Sequence, residues 1–242
     1  MNLPGENQNG TRKLETIAGM QWPVPSVVAT VHSPAGINAA LSLQPGEVDF
    51  VELRVDAFAQ NPAPLLEAAP RISIPLIITV RHPQEGGIGE LGTDRRIELF
   101  TQFLPFAAAL DIETRSVDTM TGLIREARDK CAALILSYHD FKQTPPLNKL
   151  RRLVTEAQRA GADIAKLATT TERPQHLAAL LELLASELHL PLAVMGMGHL
   201  GKVSRLALAK AGSVLNYGFL DQSNASGQWP AQLLRQRIAE LD

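Results

Sequence analysis

The chain has 242 residues and a formal net charge of −2 at pH 7, so bulk attraction to nucleic acid or to an anionic membrane is not expected. Cys131 is the only cysteine, which excludes an internal disulfide and a multi-cysteine zinc site and favours a reducing compartment. No apolar run approaches the ~20 residues that span a bilayer. This length suits one large domain, and we expect a cytoplasmic protein.

The first residues, MNLPGENQNGTRKLE, are polar and rich in glycine and asparagine. They lack the apolar stretch of a secretory signal. We predict a flexible N-terminal tail over residues 1–20 and a single domain over residues 21–242.

Apolar segments of strand length recur along the rest of the chain. In chain order they are SVVATV (26–31), VDFVELRV (48–55), PLIITVR (75–81), ALDIE (109–113), AALILSYH (132–139), ADIAKLA (162–168), PLAVM (191–195) and SVLNYGF (213–219). Most are continuous runs, which are typical of parallel strands covered on both faces.

Helical patterns lie between these segments. Apolar stripes at helical spacing are formed by Met120, Leu123, Ile124, Ala127 and Cys131, then by Leu147, Leu150, Leu153, Val154 and Ala157, and then by Leu177, Leu180, Leu181, Leu184 and Leu188. A last helix is predicted over residues 230–241. Eight strands with intervening helices predict a single-domain α/β fold, the (β/α)8 TIM barrel, with a doubly wound open sheet as the competing fold.

Polar side chains mark the ends of these strands. They are Glu52 and Arg54 on the second strand, Arg81 on the third, Glu113 on the fourth, His139 on the fifth and Lys166 inside the sixth, while Met195 ends the seventh. Because the chemistry of a barrel lies at the carboxyl ends of its strands, this series predicts one polar site on one rim.

Lys166 interrupts an apolar strand. Burial of an ammonium is costly, so a buried lysine tends to lose its proton, and a neutral amine can attack a ketone to form an imine. The alternative is a lysine that reaches water at the strand end or pairs with Asp163. Its position on the barrel rim favours the catalytic interpretation.

His139 is a candidate proton carrier at neutral pH, although a histidine at a strand end can also be purely structural. Arg54, Arg81 and Arg205 are candidate anion ligands, with surface salt bridges as the alternative. Arg205 has the stronger case because it follows the start of a predicted helix, whose N–H groups attract negative charge. No HExxH or similar spacing is present, so a zinc site is not expected.

Residues 196–201 spell GMGHLG and match the GxGxxG dinucleotide pattern. Only about one further strand–helix unit follows, which is too little for a nucleotide-binding domain. We interpret the segment as a glycine-rich loop that lets the backbone approach an anionic ligand at the barrel mouth.

The order and spacing of several segments resemble the type I 3-dehydroquinate dehydratase family. They are VELRVDAF (51–58), TVRHPQEGG (79–87), LSYHDFKQTP (136–145), GADIAKLA (161–168), MGMGHLGKVSRLA (195–207) and ASGQ (225–228). The resemblance extends from about residue 27 to residue 228. It implies a (β/α)8 barrel, a homodimer, no metal and no organic cofactor.

The resemblance also implies an activity: syn elimination of water from 3-dehydroquinate through a lysine Schiff base, giving 3-dehydroshikimate in the shikimate pathway of aromatic amino acid biosynthesis. By position, Lys166 forms the imine, His139 is the general acid–base and Glu85 orients that histidine. The residues implied in substrate binding are Thr30, Glu52, Arg54 and Arg81 near the ring, Met195 and Met197 on the apolar wall, and Arg205, Asn224 and Gln228 around the carboxylate.

Two positions depart from the family pattern. Asn224 stands where the family often has a serine that helps bind the carboxylate, and Thr30 stands near a serine position of the first strand. Three other functions stay open from the residues alone. They are another Schiff-base barrel enzyme such as a class I aldolase, a non-catalytic barrel that binds a small carboxylate, and an NAD-dependent enzyme.

Overall fold

The structure, a computed structural model, describes residues 13–241, and its centre is a parallel sheet of eight strands. These strands follow one another in chain order, and the last lies beside the first. The backbone N–H of Val214 donates to the carbonyl of Leu192 at 2.9 Å, which brings the two ends of the sheet together. A doubly wound sheet would reverse its strand order at a switch point. The barrel prediction is therefore confirmed, and the open sheet is wrong.

The elements alternate as the apolar pattern predicts. The strands are β1 (Lys13–Ile17) and β2 (Met20–Val24), which form a hairpin, and the barrel strands β3 (Ser26–Val31), β4 (Phe50–Arg54), β5 (Leu76–Thr79), β6 (Ala107–Glu113), β7 (Ala133–Asp140), β8 (Ile164–Thr170), β9 (Leu192–Met197) and β10 (Leu215–Phe219). The helices are α1 (Pro34–Ser42), α2 (Ala63–Ala68), α3 (Thr93–Phe103), α4 (Thr121–Asp129), α5 (Leu147–Arg159), α6 (Pro174–Leu184), α7 (Gly201–Lys210) and α8 (Ala231–Ala239). Each barrel strand overlaps a predicted segment.

The two faces of each strand enter different apolar layers. On β8, Ala165 and Leu167 join the layer between the sheet and the helices. Ile164 and Ala168 join the layer inside the barrel. Because successive side chains point to opposite faces of a strand, Lys166 shares the inward face with Ile164 and Ala168. The same alternation on β3 puts Val28 inside and Val27 outside.

One member of a predicted helical stripe lies elsewhere. Helix α4 buries Leu123, Ile124 and Ala127 as expected, but Cys131 is exposed and has a φ of 59°. The helix ends at Asp129, and the left-handed backbone conformation of Cys131 itself turns the chain away from the helix surface. The assignment of Cys131 to the apolar stripe is therefore wrong.

The predicted tail is too long. Residues 13–24 form the β1–β2 hairpin, whose antiparallel register runs from Lys13 opposite Val24 to Ile17 opposite Met20. Ile17 and Trp22 are buried in the inner layer, where Trp22 stacks on Phe50 with 4.3 Å between ring centroids. Burial of these two apolar side chains offsets the entropy cost of ordering the hairpin. The part of the tail prediction on residues 1–12 lies outside the described residues.

Between residues 13 and 241, no helix is both long enough and apolar enough to cross a membrane.

Candidate active site

Every residue that the family resemblance assigns to the site lines one cavity at the carboxyl ends of the barrel strands, whereas Glu113 is not part of its lining. The cavity contains about 650 Å³ of empty space, including open solvent. Its lining includes Thr30, Glu52, Arg54, Arg81, Glu85, His139, Lys166, Met195, Met197, Arg205, Asn224 and Gln228. The side chains come from strands far apart in the chain, and barrel closure brings their ends to one rim. A concave site at this end of a barrel, with several convergent polar groups, suits a small molecule.

Lys166 is buried near the centre of the site, with 4% of its surface exposed. Its Nζ lies 2.7 Å from Asp111 Oδ2 and 3.4 Å from Glu52 Oε1. The ring centroid of Tyr217 lies 3.8 Å from the same nitrogen. The alternative pairing with Asp163 is wrong, because the Asp163 carboxylate accepts the backbone N–H of Leu134 at 2.7 Å.

Arg81 ties the acidic groups of the site together. Its guanidinium donates to both oxygens of Asp111 at 3.0 and 2.8 Å, to Glu113 Oε1 at 2.8 Å and to Ser137 Oγ at 2.7 Å. Burial opposes ionisation of Asp111, but the Arg81 and Lys166 cations outweigh it and hold its pKa well below the ordinary value. Asp111 is therefore a fixed anion beside the lysine.

Glu52 is oriented by two hydroxyl groups. Thr30 Oγ1 donates to Glu52 Oε2 at 3.1 Å, and Thr79 Oγ1 donates to Glu52 Oε1 at 3.0 Å. Strand register explains this geometry, since Thr30 is the partner of Glu52 in the β3–β4 pair. The carboxylate is thereby held beside Lys166.

His139 and Glu85 form a buried pair. Glu85 Oε2 lies 3.1 Å from His139 Nδ1 and accepts the His139 backbone N–H at 3.0 Å. Burial, reinforced by the Arg81 and Lys166 cations, lowers the pKa of His139 well below its ordinary value. Burial, reinforced by the Glu113 carboxylate, raises the pKa of Glu85 to about 7. His139 is thus a neutral imidazole at neutral pH and can accept a proton.

Arg54 is held by Asp56, which was not among the predicted site residues. Arg54 Nε and Nη2 donate to the two oxygens of Asp56 at 3.0 and 2.8 Å, and Nη2 also donates to Gly86 O at 3.0 Å. Asp56 further accepts the backbone N–H groups of Arg81 and Ile88 at 3.2 and 3.0 Å. One carboxylate therefore joins the end of β4 to the loop that carries Glu85.

Arg205 and the loop after β10 close one side of the cavity. Arg205 donates to Gly227 O at 3.2 Å through Nε and to Tyr217 O at 2.7 Å through Nη1. Burial lowers the pKa of Arg205 to about 10, so the guanidinium stays charged at neutral pH. Gln228 Oε1 accepts the backbone N–H of Asn224 at 3.1 Å. Within the described part of the chain, Asn224 Oδ1 is buried without a hydrogen-bond partner.

Glycines of the segment 196–201 allow neighbouring parts of the chain to pack closely together. A Cβ at Gly196 would collide with Ser204 Oγ, and one at Gly201 would lie 2.8 Å from Gly227 Cα. The interpretation of GMGHLG as a loop that exposes its backbone to a ligand is therefore corrected, because side chains and the loop after β10 occupy the space beside these two glycines. From the segment and the helix that it begins, the side chains of Met197 and Arg205 reach the cavity.

Two neighbours of the Lys166 amine, Asp111 and Tyr217, were not among the predicted site residues. Asp111 interrupts an apolar strand just as Lys166 does, so the same argument would have found it. Tyr217 had no such signal, since an aromatic residue in an apolar strand is ordinary core. Between residues 13 and 241, no three His, Cys, Asp or Glu side chains are arranged to hold a metal ion.

A closed parallel barrel with a buried lysine, a histidine–carboxylate pair and arginines at the carboxyl ends of its strands defines a (β/α)8-barrel enzyme. The chain belongs to the type I 3-dehydroquinase family, whose model matches residues 27–241.

Proteins that are similar to this chain in sequence and structure agree with this assignment. A 3-dehydroquinate dehydratase of Methanothrix thermoacetophila is 33% identical over 216 residues, which cover 87% of this chain and 89% of that protein. One from Methanothermobacter thermautotrophicus is 35% identical over 199 residues, covering 80% and 85%. The crystal structure of 3-dehydroquinate dehydratase from Geobacillus kaustophilus superposes with a TM-score of 0.83 at 27% identity, covering 95% of this chain and 96% of that one.

Proposed function

We propose that this chain is a 3-dehydroquinate dehydratase that eliminates water from 3-dehydroquinate through a Schiff base on Lys166. The observation that carries the proposal is a buried lysine amine in the same cavity as a neutral histidine. The named relatives supply the substrate. Elimination of water breaks a C–H bond and a C–O bond but no carbon–carbon bond, which separates this function from an aldolase.

The first half of the reaction forms the imine. The Lys166 ammonium, held by Asp111 at 2.7 Å, must give up a proton before it can attack the substrate ketone. His139 is the proposed acceptor because its imidazole is neutral at neutral pH. Attack by the amine and loss of the ketone oxygen as water leave a protonated imine, which draws electrons from the adjacent carbon.

The second half eliminates the hydroxyl group. His139 removes the C2 proton, and the electron pair of that C–H bond moves into the iminium to give an enamine. The enamine then expels the C1 hydroxyl, which leaves as water after protonation by the same histidine. One group that acts as base and then acid fits syn elimination. Hydrolysis of the product imine frees 3-dehydroshikimate and the lysine.

The cavity offers groups for orientation of the substrate. The buried guanidinium of Arg205, with Asn224 and Gln228 beside it, is proposed to bind the substrate carboxylate. Thr30, Glu52, Arg54 and Arg81 are proposed to contact the ring hydroxyls, and the buried Met195 and Met197 form an apolar wall. Glu85 is proposed to hold His139 with Nε2 free for the substrate.

Borohydride trapping tests the Schiff base. We expect substrate plus borohydride to give a covalent adduct on the wild-type chain, and none on Lys166→Met. Lys130→Met, which changes an exposed lysine after α4, is the matched control and is expected to trap normally. Intact mass spectrometry and peptide mapping are the readouts. Wild-type protein that is active in an absorbance assay for the conjugated product, yet never traps an adduct, would falsify the Schiff base.

The biological setting is part of the same proposal. We infer a place in the shikimate pathway of aromatic amino acid biosynthesis, in the cytoplasm, because the named relatives act on 3-dehydroquinate. We also propose a homodimer that needs no metal or organic cofactor. Light scattering of the purified chain, and activity after dialysis against a chelator, test the assembly and the cofactor requirement.

A further inference from the structure

Tyr217 on β10 is the aromatic neighbour of the Lys166 amine. Its ring centroid lies 3.8 Å from Lys166 Nζ, and the residue is 3% exposed. It also lines the cavity that contains His139 and Arg205. A cation this close to a ring centre lies well inside the ~6 Å range of cation–π attraction, which is strongest where water is excluded.

We propose that Tyr217 is a further catalytic residue, whose ring face stabilises the positive charge on the Lys166 nitrogen as the ammonium is replaced by the iminium. The inference rests on the Schiff-base function proposed above. It assigns the ring a role distinct from that of the carboxylates on the same nitrogen.

The carboxylates act through hydrogen bonds. Asp111 and Glu52 lie 2.7 and 3.4 Å from Nζ, positions that suit the N–H groups of an ammonium. The ammonium carries three N–H groups, whereas the iminium keeps one after the nitrogen has formed its double bond to carbon. At least one of the two contacts must therefore lose its donor hydrogen during the reaction.

The aromatic ring has no such dependence. Its attraction comes from the negative face of the π system and follows the charge on nitrogen, whatever the number of attached hydrogens. Tyr217 can therefore interact with the iminium even where one of the two carboxylates has lost its hydrogen-bond donor. An interaction raises kcat only where it is stronger in the transition state than in the state before it, and the ring meets this condition as the neutral amine that attacks the ketone becomes the positively charged iminium.

The hydroxyl of Tyr217 has to be separated from its ring in any test. Within the described residues, this oxygen is buried and has no hydrogen-bond partner. Burial, with Glu52 and Asp111 adding repulsion, raises the pKa of Tyr217 well above its ordinary value, so the phenol keeps its proton. The ring is consequently an uncharged aromatic face at neutral pH.

A fluorination series tests the ring directly. Tyr217→Phe, which removes only the hydroxyl, is the reference protein. Phenylalanines with one, two or three ring fluorines, incorporated at position 217, keep nearly the same shape and weaken the negative face step by step. We expect the rate of borohydride-trapped adduct formation to fall with each fluorine, reaching roughly a 10- to 30-fold loss at three fluorines.

Two controls make the series decisive. Equal thermal midpoints across the series exclude a folding effect, and substrate KM is expected to stay within about twofold while kcat falls. Wild-type trapping combined with a flat fluorination series would overturn the ring proposal alone. Activity without any trapped adduct in the wild-type protein would overturn the Schiff-base function, and the ring proposal with it.

Discussion

His139 Nδ1 lies 3.1 Å from Glu85 Oε2, and the same oxygen accepts the His139 backbone N–H at 3.0 Å. One carboxylate oxygen therefore fixes both the ring and the main chain of the proposed acid–base residue. The pair is buried, so its protonation is coupled to folding as well as to catalysis.

The first prediction concerns stability against pH. The pKa of Glu85 rises from 4.5 to about 7 on folding, so the folded chain binds more protons than the unfolded chain between these values. Stability is therefore lost as the pH rises through this window. The glutamine of Glu85→Gln does not titrate. The difference in free energy of unfolding between this variant and wild type is therefore expected to shift by about 1–3 kcal/mol in favour of the variant from pH 4 to pH 8.

Urea unfolding at the two pH values measures this difference. Glu67→Gln is the control, because Glu67 is exposed on α2 and its change in stability should be the same at both pH values. An identical wild-type-to-variant difference at pH 4 and pH 8 for Glu85→Gln would contradict the prediction.

The second prediction concerns His139 itself. His139→Ala is expected to lower kcat by roughly 10²–10⁴-fold, the usual contribution of a general acid–base group. His189→Ala, at an exposed histidine between α6 and β9, should leave kcat unchanged. Steady-state rates of product absorbance measure both, and near-normal turnover in His139→Ala would remove this histidine from the mechanism.

The third prediction concerns the Asp56 clamp. Asp56→Asn removes the charge that binds Arg54 and weakens the tie to the loop containing Glu85. Breaking a buried ion pair costs about 3–5 kcal/mol when one charge is left unpaired. We expect destabilisation of that order, together with a lower kcat, because Glu85 no longer holds His139 in place.

Asp118→Asn, at an exposed aspartate before α4, is the matched control and should change neither quantity. The decisive readout is a double-mutant cycle on kcat. Asp56→Asn should have little further effect once Glu85→Gln is present. Full additivity in that cycle would show that Asp56 affects kcat by a route that does not involve Glu85.

The fourth prediction concerns the close approach of Gly201 to the loop after β10. A Cβ at position 201 would lie 2.8 Å from Gly227 Cα, and Gly227 O accepts a hydrogen bond from Arg205. Gly201→Ala is expected to displace this loop and raise KM by roughly 10-fold, the value of one hydrogen bond to a charged group. Gly122→Ala, where a Cβ meets nothing within 4 Å, should leave KM unaltered.

The fifth prediction concerns the hairpin. Trp22 is 1% exposed and stacks on Phe50 inside the barrel, so Trp22→Ala should cost about 3–5 kcal/mol of unfolding free energy. Gln21→Ala changes the exposed neighbour and should cost less than about 0.5 kcal/mol. A small loss for Trp22→Ala in urea unfolding would mean that the hairpin contributes little to the barrel.

The apolar pattern of the sequence did not predict the β1–β2 hairpin, because this element depends on contact with a surface that is formed elsewhere in the chain. The β1–β2 hairpin is too short and too polar to be predicted from its own residues. It is ordered because Ile17 and Trp22 find an apolar surface at the amino-terminal end of the barrel, next to Phe50. No propensity of residues 13–24 contains that information.

The sequence by itself determined the barrel and the rim of its site. Continuous apolar strands and amphipathic helices require burial on both faces of a sheet, and Lys166 and His139 interrupt or end strands whose carboxyl ends meet at one rim.

Only the tertiary structure decided what surrounds the reacting nitrogen. Asp111 and Tyr217 reach Lys166 from strands 55 and 51 positions away in the chain, and closure of the barrel alone brings them within 4 Å. Electrostatic and aromatic interactions depend on distance in space and on the exclusion of water. The partners of the lysine could therefore be assigned only once the fold was known.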